Sequence, residues 1–123
     1  GYYIRRGDPQ KYIVHLMGGG WCVDEDDCVA RSKTTLGSSK DWPPQSTPMM
    51  DGGAHGMFSA DPVVNPDFNN WTMVIVNYCD GASFAGNVTG PVSVNGTLLH
   101  FRGRAVLDAS LASLLKGGMK KAK

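Results

Sequence analysis

A short apolar, β-branched run, Tyr12 to Leu16, passes through Met17 directly into Gly18, Gly19 and Gly20, and the chain continues with Trp21 and Cys22. Apolar continuity over so few residues, ended by glycine, reads as a strand buried on both faces rather than a helix. Three successive glycines pack nothing and cost backbone entropy, so the backbone itself is what that position uses. A second such run, Trp71 to Cys79 with Met73, Val74, Ile75 and Val76 at its centre, reads as another interior strand of a parallel sheet. From Phe101 to Lys116 the period changes. Leu107, Leu111, Leu114 and Leu115 recur on one face of a helix, and Gly117 and Gly118 supply its stop. Strand, glycine turn, long excursion, strand, loop and helix, in that order, predict an α/β fold.

The excursion, from Arg31 to Asn70, is rich in Gly, Pro, Ser and Asp. A structureless segment of this length in a compact domain is a candidate lid or cleft wall. The three histidines are scattered: His15 reads as a packed strand residue, His55 as loop, and His100 as the approach to the helix.

Length and charge narrow the partners. At 123 residues the chain is about one domain, and 12 Lys and Arg against 11 Asp and Glu leave a net charge of +1, so no global field points to nucleic acid or an anionic membrane. The longest apolar runs fall far short of the roughly 20 residues that span a bilayer. Three Asn-X-Thr triplets, starting at Asn70, Asn87 and Asn95, fit a secreted glycoprotein. In an oxidising compartment Cys22 and Cys28 could pair, closing a loop worth about 2 kcal/mol and leaving Cys79 without a partner in the chain.

Several chemistries use a glycine turn after a strand, and most fail here on composition. A Walker-type loop needs Gly-Lys-Ser/Thr, whereas this turn leads into four carboxylates, Asp24 to Asp27, that repel phosphate. A dinucleotide fingerprint needs glycine where the chain has Val23. Counted from Asp24, the sixth position of an EF-hand loop is Val29 where glycine is required, so the acidic run reads as a solvated loop. Cys22 and Cys28 lack zinc-ligand spacing and no second pair exists, so no metal is expected. What remains is an oxyanion hole: a glycine turn after an early strand can aim backbone N–H groups at the negative oxygen of a tetrahedral intermediate.

The stretches "LMGGGWC", "CVARSKTTLGSSK", "NPDFNNW", "YCDGASFAGNV" and "FRGRAV" resemble, in order and spacing, the pectin acetylesterase family, which includes the Notum-type lipid carboxylesterases. "GGGWC" and "YCDGASF" follow the plant-type wording. Met17 departs from the pattern, because family members usually carry an acidic residue before the glycines. The resemblance implies an α/β-hydrolase fold, with residues 1–123 as the N-terminal part of a single domain whose remainder is absent: early parallel strands, the oxyanion loop and one helix before the nucleophile elbow. It implies that Gly19 and Gly20 supply the oxyanion N–H groups, that Trp21 lines the cleft, that Cys22 and Cys28 are bonded, and that Cys79 pairs with a cysteine upstream of the "GYY" segment at Gly1.

No Gly-X-Ser-X-Gly elbow occurs, so the catalytic Ser, Asp and His are expected beyond Lys123 and the isolated segment is expected to be inactive. Asp80 and Ser83 are the most tempting catalytic pair within the chain and candidate cleft residues, with a tight turn after the strand as the alternative reading, since no histidine stands beside them. The implied activity is removal of O-acetyl groups from pectin by a serine-hydrolase mechanism, with no cofactor, in a secreted, extracellular or cell-wall enzyme. The partner would be acetylated pectin or another acyl ester, with no nucleic acid and no membrane span. Deacylation of a lipidated protein and a non-catalytic carbohydrate-binding or structural remnant are the alternatives.

Overall fold

The computed structural model describes residues 1–45 and 56–123. Their main sheet has three strands: β1 (Tyr2–Arg5), β2 (Asp8–Leu16) and β3 (Trp71–Val76), in the order β1-β3-β2. β2 runs parallel to β3, pairing Val14 with Val74 and Leu16 with Val76, whereas β1 runs antiparallel, pairing Tyr2 with Val76. The sheet is therefore mixed, and only β3 has a neighbour on both sides. The expectation of two interior strands holds for β3, whose Val74 and Val76 are fully buried. Within these residues β2 is half-buried and leaves Leu16 exposed, because among them it pairs along one edge alone.

Period-two geometry explains the continuous apolar run of β3, since both its faces are covered. Val74 and Val76 form a core with Tyr78, Phe84 and Leu114, against which Tyr12, Val14 and Met17 also pack. On the opposite face His15, level with Ile75, meets the ring of Phe58 edge-on at 5.0 Å. Phe58 belongs to a short 3-10 turn, Gly56–Phe58, in the excursion; His55 lies outside the described residues.

The acidic run is helical, contrary to the expectation of a solvated loop. Asp24 caps α1 (Glu25–Arg31), accepting a hydrogen bond from the Asp27 N–H at 2.8 Å, and Glu25, Asp26 and Asp27 occupy its first turn. Carboxylates are favourable there because the first N–H groups of a helix lack intrahelical partners and carry partial positive charge. Farther on, β4 (Val92–Val94) and β5 (Thr97–Leu99) form a hairpin turned by Asn95 at φ 48° and Gly96 at φ 77°, the left-handed pair that tight hairpins favour.

The expected helix is α2 (Gly103–Lys116). Leu114 is buried and Leu107 and Leu111 are half-buried, but Leu115, 47% exposed, lies outside the buried stripe, whose remaining buried positions are Gly103 and Ser110. Gly117 caps the helix and Gly118, at φ 125°, turns the chain so that the Lys123 N–H reaches the Gln10 carbonyl at 2.9 Å.

Candidate active site

Met17 carries the chain to the C-terminal edge of the sheet, its N–H donating to the Val76 carbonyl at 3.0 Å while its side chain packs on the core. The backbone then turns through Gly19 at φ 143° and Gly20 at φ 71°. A Cβ on Gly19 would approach Leu36 Cδ2 to 2.9 Å, whereas one on Gly20 or Gly18 would meet open space. Gly19 is thus fixed by backbone sign and by packing, Gly20 by backbone sign alone, and Gly18 by neither.

The orientation of this turn is set by Arg31, the last residue of α1. Its Nη2 donates to the Gly19 carbonyl at 3.0 Å and to the Gly20 carbonyl at 3.3 Å, and its guanidinium lies 5.1 Å from the Tyr78 ring centroid. All described peptides are trans. In a planar trans peptide the N–H points opposite to the carbonyl it is conjugated with. Holding the carbonyls of Gly19 and Gly20 on the arginine side therefore sends the N–H groups of Gly20 and Trp21 to the other side.

Cys22 and Cys28 form a disulfide that ties the exit of the glycine turn to α1. The Cys22 N–H donates to the Gly81 carbonyl at 3.1 Å, joining the turn to the loop after β3. Gly81, at φ 65°, packs so closely that a Cβ there would lie 2.8 Å from Cys22 Sγ. Trp21, 65% exposed, stands at this junction of two loops beyond the C-terminal ends of parallel strands, where open α/β sheets place their ligands.

Asp80 and Ser83 lie on the second of these loops. Asp80 is buried, and its carboxylate accepts from three backbone N–H groups: Ala82 at 3.2 Å, Phe84 at 3.3 Å and Gly103 at 3.0 Å. It thereby caps α2 from a distance. Gly103 opens that helix because a Cβ would overlap the carboxylate, 2.0 Å from Asp80 Oδ2. Ser83 and Phe84 hold φ 51° and 60°, a conformation costing about 1–3 kcal/mol each in non-glycine residues. The Tyr78 hydroxyl, accepting from the Ser83 N–H at 2.9 Å, and Asp80 maintain it. Ser83 is exposed, and among the described residues no histidine is hydrogen-bonded to it or to Asp80.

A groove of about 590 Å³ runs between β5, the first half of α2 and the 32–39 segment, reaching Asp80, Leu99, His100 and Val106. Gly18 to Trp21 do not line it. Within these residues Cys79 is a half-buried free thiol; burial pushes its pKa up, and the neighbouring Asp80 adds to the rise. The three sequon asparagines are exposed, and Asn95 Nδ2 donates to Asp26 Oδ1 at 2.9 Å. Among the described residues no three His, Cys, Asp or Glu side chains gather as metal ligands, and no helix is long and apolar enough to cross a membrane.

The pectinacetylesterase family matches along residues 1–123. The chain belongs to that family. It is 41% identical to pectin acetylesterase 5 of Arabidopsis thaliana over 126 aligned residues, covering all of this chain and 28% of that protein. It is 31% identical to palmitoleoyl-protein carboxylesterase notum1 of Xenopus laevis, again over the whole chain, with 24% of that protein covered. The crystal structure of the Wnt deacylase Notum from Drosophila superposes with a TM-score of 0.82 at 30% identity, covering 97% of this chain and 33% of the other. The fold is accordingly a partial α/β-hydrolase type, and the chain spans less than a third of the length of the curated relatives it matches.

Within this pectinacetylesterase segment the structure brings Gly19, Gly20, Trp21, Cys22 and Cys28 together with the Asp80–Ser83 loop at one edge of the sheet. Arg31 and Tyr78 complete the arrangement and were not singled out by sequence reasoning. Arg31 lies within the family stretch "CVARSKTTLGSSK", which was the available signal; a contact between a helix end and a turn twelve residues back leaves no periodic trace.

Proposed function

We propose that these residues are the N-terminal part of a secreted carboxylic-ester hydrolase that removes O-acetyl groups from pectin, and that the glycine turn is its oxyanion hole. The reading is carried by the turn itself. Its carbonyls are drawn to Arg31, while among the described residues no protein acceptor faces the N–H groups of Gly19, Gly20 or Trp21. Of the pair expected from the family pattern, Gly20 supplies one donor; the peptide-plane geometry adds Trp21 as the second, with Gly19 as the bend that makes the arrangement possible. In the proposed enzyme a serine from chain beyond Lys123 attacks the acetyl carbonyl, a histidine carries the proton, and these N–H groups stabilise the charge developing on oxygen. The indole of Trp21 lines the cleft. Asp80 shapes that cleft through the backbone it holds and performs no proton transfer.

The same reading pairs Cys79 with a cysteine upstream of Gly1. Asn77 N–H donates to the Gly1 carbonyl at 3.0 Å, which supports it by bringing the chain leading into Gly1 alongside the end of β3. Identity to the Arabidopsis pectin acetylesterases, 41% against 31% for the Xenopus Notum-type enzyme, favours an acetylated polysaccharide over a lipidated protein. The test is acetate release by the full-length protein from O-acetylated pectin, compared with hydrolysis of a long-chain acyl ester. Acetate release at the higher kcat/KM is expected. Preference for the long acyl chain overturns the substrate, and turnover of neither overturns the enzyme.

A further inference from the structure

We infer that Arg31 is a positioning residue of the ester-hydrolysing site, orienting and polarising the peptide groups whose N–H bonds stabilise the oxyanion. This deepens the esterase reading above and rests on it. Three observations carry it. First, one guanidinium nitrogen bonds two successive carbonyls, Gly19 at 3.0 Å and Gly20 at 3.3 Å, the same peptide units whose other ends are the N–H groups of Gly20 and Trp21. Second, the guanidinium is held in place from behind by the Tyr78 ring at 5.1 Å, and Tyr78 is almost wholly buried in the core. Third, no carboxylate pairs with Arg31 among the described residues, and its Nε is buried without a hydrogen-bond partner there. An arginine kept for stability alone is normally given a partner for its charge. Here the charge is spent on two carbonyls and an aromatic face.

The chemistry follows from those contacts. A charged donor on a carbonyl oxygen draws electron density through the conjugated amide, and hydrogen bonds in series strengthen one another. The N–H groups at the far ends of the two peptides become better donors, and their direction is fixed before substrate arrives. A preorganised donor acts most where charge develops, on the oxyanion rather than on the planar ester, so the effect falls on kcat and not on KM. The disulfide at Cys28, three residues before Arg31, and Leu36 beneath Gly19 keep helix and turn from drifting apart.

Arg31→Ala and Arg31→Lys in the full-length enzyme test this. Loss of an entire oxyanion donor costs about 10²- to 10³-fold in kcat; loosening two donors without removing them is expected to lower the kcat of Arg31→Ala by roughly 30- to 100-fold, with KM for a short acyl ester unchanged within twofold. Affinity for a boronic acid that mimics the tetrahedral intermediate should fall in parallel with kcat. Arg31→Lys keeps the charge and is expected to recover part of the loss, as is free guanidinium at tens of millimolar added to Arg31→Ala. Arg104→Ala, which removes an exposed arginine paired with Asp108 on α2, should leave kcat intact. If Arg31→Ala does not fold, Arg31→Lys carries the same kcat and boronate readouts.

Unchanged kcat, or a lower kcat with undiminished boronate affinity, in an otherwise active enzyme overturns the role of Arg31 while leaving the esterase reading in place. An inactive wild type overturns both.

Discussion

Replacing Asp80 separates a residue that shapes the site from one that performs chemistry. The carboxylate is buried and satisfies three backbone N–H groups, two of them, on Phe84 and Gly103, in fully buried bonds. A hydrogen bond to a charged group contributes about 1.5–3 kcal/mol, and a buried donor left unpaired costs about 1–3 kcal/mol. Asp80→Ala orphans both buried donors, so a loss of roughly 4 kcal/mol follows, a large share of the 5–15 kcal/mol typical of a domain. Asp80→Asn keeps one acceptor oxygen but turns an NH2 group toward one of the same donors; it should cost about half as much.

Urea or thermal unfolding of the full-length protein gives the free energies, with Asp80→Ala expected to lower Tm by roughly 5 °C in a protein as long as its relatives. Amide hydrogen exchange at Phe84 and Gly103 reports the site directly and should accelerate in both variants, more in the alanine. A melting temperature within 2 °C of wild type, with protection at Gly103 intact and activity abolished, would refute this account and return Asp80 to the list of catalytic acids.

The glycines should respond unequally. Gly18→Ala, with ordinary backbone and open space, should shift stability by less than about 1 kcal/mol, whereas Gly19→Ala should cost about 2–3 kcal/mol from its φ of 143° and the collision with Leu36; paired melts check the order. In a full-length variant whose upstream partner cysteine is replaced by serine, Cys79 should alkylate more slowly than an exposed thiol near pH 8, since burial disfavours its thiolate, and a pH series of iodoacetamide rates reads this. Because the folded-state pKa of that freed thiol is raised, the unfolded chain loses the proton first, so Cys79 contributes stability that is present below the ordinary thiol pKa of about 8.5 and declines as pH rises through the folded value; adding Cys79→Ser to the same variant should flatten that alkaline decline.

Periodic features were legible in the sequence and contact features were not. β3 and α2 announce themselves because burial imposes period two with both faces covered in one and period 3.6 in the other. β1 is only four residues, and its pairing with β3 is a tertiary fact. The β4–β5 hairpin did leave a local signal, Asn95-Gly96 between alternating residues, but the same residues also spell a sequon, and that reading took precedence. For α1 the four carboxylates suggested solvent, when the capping geometry of Asp24 makes them the start of a helix. At the site, the glycine turn and the Cys22–Cys28 pairing are legible in the residues themselves, whereas the cleft role of Trp21 rests on the family wording. The roles of Asp80, Gly103 and Arg31 needed distances, since each lies in what a side chain or missing side chain touches far along the chain.

The seven residues of α1 have a consequence for the order in which such a protein comes to life. A helix that short does not persist in water unaided. Among the ties that hold this one in place are the covalent link at Cys28, the grip of Arg31 on the turn and the bond from Asn95 to Asp26. A newly made chain with its thiols still reduced would lack the covalent tie, so its N–H groups of Gly20 and Trp21 would be less firmly directed. For the secreted esterase proposed above, forming the Cys22–Cys28 bond would then be a maturation step: ester hydrolysis would reach its full rate only after the chain has left the reducing interior of the cell, and the cytoplasm that makes it would be largely spared that activity.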